Sequence, residues 1–121
     1  MTHRDAPSWF TLREFLCPCG RCTPTPPSQD LVRRLDELRS RYGKPIRINS
    51  GVRCAEHNRE VGGVPESEHV TGEGADIRCE TSQERRALLK LATPLFDRIG
   101  IDRRFLHLGV STSLPQVYWL Y

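Results

Sequence analysis

Ser67-Glu68-His69-Val70-Thr71-Gly72-Glu73-Gly74-Ala75-Asp76, running on into Ile77-Arg78-Cys79, is the stretch from which the rest of the chain can be placed. Side chains alternate across a strand, so in a strand over Ala75–Cys79 Asp76 opposes Ala75 and Ile77. Near the C-terminus, Phe105-Leu106-His107-Leu108-Gly109-Val110 repeats the pattern. Leu106, Leu108 and Val110 share one face, a natural core face; Phe105, His107 and Gly109 share the other. If the two strands pair, Asp76 and His107 converge on one point. His69 precedes the first strand, and Gly72 and Gly74 let the chain fold back to bring it in.

Working outward, Thr11-Leu12-Arg13-Glu14 fits a capping box and predicts a short helix over Leu12–Leu16. Cys17-Pro18-Cys19-Gly20-Arg21-Cys22 and a proline-rich loop through Pro27 follow. Ser28 can cap a helix to about Arg41, with Leu31, Val32, Leu35, Leu38 and Tyr42 on one face and Gly43 as its stop. Ile46–Ile48 reads as a strand. Residues 49–73 read as a long polar loop with one helical turn near Ala55–Val61; a loop of that length in a small domain is usually functional. Thr81-Ser82-Gln83-Glu84 opens a helix to about Ala92. Strands are expected at Arg98–Ile101, Phe105–Val110 and Gln116–Leu120, with Ser111–Pro115 as a hairpin loop between the last two. Helices and strands mix without regular strand–helix alternation, which favours α+β. The expected fold is one small domain, an antiparallel sheet with helices packed on one side and a cleft on the sheet.

The chain has 121 residues, enough for one compact domain. Residues 1–8 read as a flexible tail and 9–121 as the domain. Apolar content is 37% and charged content 27%, ordinary for a soluble protein. There is no apolar run of membrane-span length and no signal-peptide core, so cytoplasmic synthesis without a signal peptide and no membrane partner are expected. Net charge is +3 and the arginines are scattered, consistent with a solvated surface and weak support for an anionic partner.

Two imidazoles and one carboxylate suit zinc and leave a fourth position for water, the composition of a catalytic rather than a closed structural site. Taken singly, His107 is more usually a hydrogen-bonded core histidine and Asp76 a turn former. The ordered motifs decide between these readings. Phe10-Thr11-Leu12-Arg13-Glu14-Phe15, Gly43-Lys44-Pro45-Ile46, Asn49-Ser50-Gly51-Val52-Arg53-Cys54, Glu56-His57-Asn58, Val61-Gly62-Gly63, Ser-x-His-x-x-Gly-x-x-x-Asp, Phe105-Leu106-His107 and Tyr118-Trp119-Leu120-Tyr121 occur in order. Together they resemble the zinc D-Ala-D-Ala carboxypeptidase family. Its relatives include vancomycin-resistance D,D-dipeptidases, phage endolysins and the hedgehog signalling domain.

The resemblance implies zinc held by His69, Asp76 and His107, with Arg53 reaching a substrate carboxylate. An arginine fork suits that task. It implies hydrolysis of peptides in the peptidoglycan stem or cross-bridge, with the cell wall as site of action, a phage or prophage setting and a monomer. A catalytically inactive zinc-binding wall- or protein-interaction module is the alternative, and a nucleic-acid binder is disfavoured. The proton acceptor is where this chain departs. Many small relatives carry Asp two residues after the last His, where this chain has Gly109; others carry Glu three residues before it, where this chain has Arg104. Asp102, in the loop before the last His strand, is the expected substitute, with turn formation as its competing role. Glu68 adjoins a ligand, but its side chain can point elsewhere. His57 and Asn58 read as loop organisers.

Five cysteines is an odd count and argues against a complete disulfide framework. Cys17, Cys19 and Cys22 could hold a second, structural metal, completed by Cys54 or Cys79. The spacing lacks a paired Cys-x-x-Cys, which weighs against it. A disulfide to Cys54 and plain reduced thiols remain open.

Overall fold

A computed structural model describes residues 8–121, and the tail expected at the N-terminus lies outside these except for Ser8. Ser8 Oγ and Trp9 N–H both donate to Asp36 Oδ1, at 2.9 and 2.8 Å. A short 3-10 helix covers Leu12–Phe15, with Thr11 N–H donating to Glu14 Oε2 at 2.7 Å as the capping box requires. Helix α1 spans Gln29–Tyr42. Ser28 Oγ accepts from Leu31 N–H at 3.0 Å at its start, and Gly43, with φ of 75°, ends it. Strand β1 is Ile48–Ser50, slightly later than expected. Helix α2 (Ala55–Glu60) is the helical turn expected near Ala55–Val61, and the single-turn α3 (Glu68–Thr71) further breaks the stretch read as a long loop. Strand β2 (Gly74–Arg78), helix α4 (Ser82–Ala92) and strands β3 (Arg98–Ile101), β4 (Phe105–Gly109) and β5 (Tyr118–Leu120) complete the chain.

The five strands form one sheet in the order β1-β2-β4-β3-β5, antiparallel except for the parallel β3–β5 pair. The fold is α+β in a single domain. Residues 111–115 do not close a hairpin. Strand β4 lies between β2 and β3 and so has no free edge; β5 must cross to the outer edge of β3, where Gly100 faces Trp119.

Alternation sorts the side chains as the sequence implies. Ala75, Ile77, Ile99, Leu106 and Leu108 are fully buried in one core cluster with Leu31, Leu35 and Leu38 of α1 and Leu88 and Ala92 of α4. The opposite face carries Asp76 and His107, directly paired across β2 and β4, with Gly100 as the next neighbour of His107 on β3. One face of the sheet is therefore committed to helix packing, and the other is free to form a cleft.

Candidate metal centre

The cleft, of about 480 Å³, opens on this second face; Arg53, Glu68, His69, Asp76, His107 and Trp119 are among its lining residues. Three elements converge on its floor. Register places Asp76 beside His107. Helix α3 supplies His69: Ser67 Oγ caps it by accepting from His69 N–H at 3.1 Å, and Gly72, with φ of 78°, turns the chain back into β2. His69 Nε2 lies 3.2 Å and His107 Nδ1 2.9 Å from the same atom, Asp76 Oδ1. The structure thus brings together the three residues read as metal ligands.

The outer nitrogen of each ring fixes its tautomer. Gly51 C=O sits 2.6 Å from His69 Nδ1 and can only accept, so Nδ1 carries the hydrogen. Glu68 Oε1 lies 2.8 Å from His107 Nε2 and holds the hydrogen there in the same way. In the neutral rings the inner nitrogens, His69 Nε2 and His107 Nδ1, are then lone-pair donors facing a carboxylate oxygen. Three acceptors around one point repel unless a cation sits among them. The protein alone answers with protons. Burial by itself would lower the His107 pKa, but Asp76 and Glu68 outweigh it and raise it overall. Burial would raise the Asp76 carboxyl, yet the bonds from His107 and His69 pull it down to about 2. A divalent metal replaces those protons directly, so the donor set fits zinc.

Glu68, weighed in the sequence but set behind Asp102, is the carboxylate that the structure brings to the centre. Its side chain is buried under the floor of the cleft. Burial opposes its charge, but the bonds from His107 and Ser111 outweigh this and hold its pKa below the ordinary value. Ser111 N–H donates to Oε2 at 3.0 Å. Arg98 Nε lies 3.0 Å from Oε1 without aiming its N–H at it, so that contact is an ion pair rather than a hydrogen bond. Gly74 and Gly109 are register partners on β2 and β4. Their missing side chains leave a hollow beside His107 that Glu68 fills: a Cβ on Gly109 would fall on the Glu68 carboxylate. The space left open at Gly109 is taken by a carboxylate from α3. The signal was present in Gly109, which leaves His107 in need of a partner, but the four-residue α3 that aims Glu68 is too short to leave a periodic pattern.

Asp102 goes elsewhere, which corrects its expected place over the metal. Its Oδ2 accepts from Arg104 N–H at 3.0 Å and its N–H donates to Phe105 C=O, so it closes the β3–β4 turn. It faces a separate depression beside Glu80, Arg85 and Arg103.

Arg53 does reach the cleft. Its Nε donates to Ser50 Oγ at 3.2 Å and one terminal nitrogen to Asn58 Oδ1 at 3.1 Å; the other lies 3.8 Å from Asp76 Oδ2. Asn58 is in turn buried and donates to Val64 C=O at 2.8 Å, which makes it an organiser of the loop. Trp119 forms an aromatic wall, with its ring 5.5 Å from that of His107 and the Arg98 guanidinium 4.9 Å from its centre.

No helix among the described residues is long and apolar enough to cross a membrane. No curated protein matches the chain. The family model described as Peptidase M15 matches residues 8–109, a span that holds His69, Asp76, His107 and the Arg53 loop, and the chain belongs to that metallopeptidase family.

Proposed function

We propose that the protein is a zinc peptidase of bacterial cell-wall peptides, cutting a peptide bond in the peptidoglycan stem or cross-bridge. The observation that carries this reading is the meeting of His69 Nε2, His107 Nδ1 and Asp76 Oδ1, with each imidazole locked from behind by Gly51 or Glu68. These three residues would hold the ion. Zinc bound there supplies Lewis acidity and a water of lowered pKa.

The chain's own residues do the rest. Glu68 keeps the hydrogen of His107 on Nε2, so that Nδ1 faces inward; it is a positioning residue. Arg53 is braced on two sides and keeps donors toward the cleft, where a substrate carboxylate can take the place of its long contact with Asp76 Oδ2. Trp119 and Tyr121 offer flat apolar surface to the peptide. This favours a substrate that ends in a free carboxylate near the scissile bond, as a D,D-carboxypeptidase substrate does. A phage or prophage lysis role, acting as a monomer on the wall, fits the same chemistry.

Digestion of purified bacterial walls and of defined muropeptides, read by mass spectrometry, tests the proposal. Zinc-dependent release of a terminal residue or cross-bridge cut, lost in His69→Ala, is expected. Zinc-loaded protein that leaves every wall peptide intact would favour the non-catalytic module.

A further inference from the structure

We infer that Cys17, Cys19, Cys22 and Cys54 form a second metal site, a structural tetrathiolate zinc centre that ties the N-terminal segment to the loop carrying Arg53. The four sulfurs lie within 4.8 Å of one another, although Cys54 is far from the other three in sequence. Cys79 takes no part: it is buried in the core cluster. The fourth ligand that the Cys-x-Cys-x-x-Cys segment lacks therefore comes from the N-cap of α2.

Distances favour a metal over a disulfide. Cys19 Sγ and Cys54 Sγ are 3.8 Å apart. Sulfurs bound to zinc at about 2.3 Å and arranged tetrahedrally stand about 3.8 Å from each other, whereas a disulfide needs about 2.05 Å. All five cysteines are free thiols, and a single pairing would strand two of the four clustered sulfurs. The backbone is arranged for thiolate charge. Arg21 N–H points at Cys19 Sγ at 3.3 Å, Cys54 N–H at Cys17 Sγ at 3.4 Å and His57 N–H at Cys54 Sγ at 3.3 Å. Thiols are weak acceptors, and three amides aimed at three sulfurs suit metal-bound thiolates.

The site has a structural consequence for the cleft. Val52 N–H donates to Phe15 C=O at 2.6 Å, and Gly51 packs so closely on the Phe15 backbone that no Cβ fits between them. The segment pinned by this contact holds Gly51, which orients His69, and Arg53. A metal at the four thiols would fasten both ends of that contact.

The test uses the full chain, purified in reductant and loaded with zinc. A mercurial thiol reagent added with a zinc-sensing dye is expected to release one zinc ion per chain, and the same release is expected from His69→Ala, whose cleft site is disabled. Cobalt-loaded His69→Ala should show intense thiolate-to-cobalt charge-transfer absorption, weakened when Cys22→Ser leaves three thiolates. Because Cys22→Ser can fail to fold, the mercurial release from the wild-type chain stands as an independent reading. Metal content that the mercurial does not touch, or a reduced preparation whose intact mass is two hydrogens light with Cys19 and Cys54 joined, would overturn the inference. Loss of the cleft zinc alone leaves it standing, so its failure and that of the peptidase reading can be told apart.

Discussion

Gly109→Ala tests the fit of Glu68 into the hollow most sharply. The new Cβ would occupy the position of the Glu68 carboxylate, so either the strand or Glu68 must move. Strand β4 is paired on both edges and cannot shift cheaply. Glu68 then leaves His107 Nε2 and Ser111 N–H, both held at 3.0 Å or less, and Arg98 loses its buried partner. Breaking a buried charged pair from one side costs about 3–5 kcal/mol. At about 4 °C per kcal/mol for a domain near this size, the melting temperature should fall by roughly 10–20 °C. Zinc affinity should also drop by about 10–100-fold, because His107 loses the partner that sets its tautomer. Glu68→Ala alone should show a similar loss. Gly109→Asp combined with Glu68→Ala should recover much of it, since a carboxylate again reaches the hollow. Calorimetry and zinc competition on wild type, Glu68→Ala, Gly109→Asp and the double variant close the cycle, with an expected coupling of about 2 kcal/mol or more. A Gly109→Ala protein as stable as wild type, or Glu68→Ala and Gly109→Asp effects that add to within about 0.5 kcal/mol in the double variant, would refute this role of the Gly109 hollow.

Other expectations follow from the same geometry. Arg53→Lys should raise KM for a peptide with a free C-terminal carboxylate by about 10-fold or more, with kcat changed less, because a fork is exchanged for a point charge; amidating the peptide should erase the difference between the two proteins. Asp102→Asn should change wall-peptide hydrolysis and zinc content by less than about twofold, since its oxygen serves the β3–β4 turn. Stability against pH should have opposite slopes in the zinc-free and zinc-loaded forms. In the zinc-free form the raised His107 pKa adds stability that is full below about 6.5 and fades as pH rises through the folded value, while the Asp76 contribution is present above about 3.8 and is lost as pH falls toward about 2. Zinc needs neutral imidazoles, so the loaded form should instead gain stability as pH rises through that upper range; thermal melts at pH 5.5 to 8 with and without chelator, at about one unit spacing, would check the signs.

Much of this site was legible because strand alternation is a strict rule. Leu106 and Leu108 had to face the core, which turned His107 outward, and the same parity turned Asp76 toward it. Features that depend on contacts distant in sequence were less visible. The two sides of β4 were both taken, so β5 crossed to β3, and nothing local in 111–120 announces that. Cys54 completes the thiol cluster across a fold-back that its neighbours do not encode. Asp102 was weighed by its loop before the His107 strand and Glu68 by adjoining His69, yet the turn hydrogen bond decided the first and an empty space at Gly109 the second.

Trp119 and Tyr121 stand on the margin of the sheet, on or just beyond a three-residue strand secured along one side only. Such a flank opens at far lower free energy than the interior strands. The mouth beside the imidazoles can therefore widen while its base stays rigid, and the two motions need not be coupled.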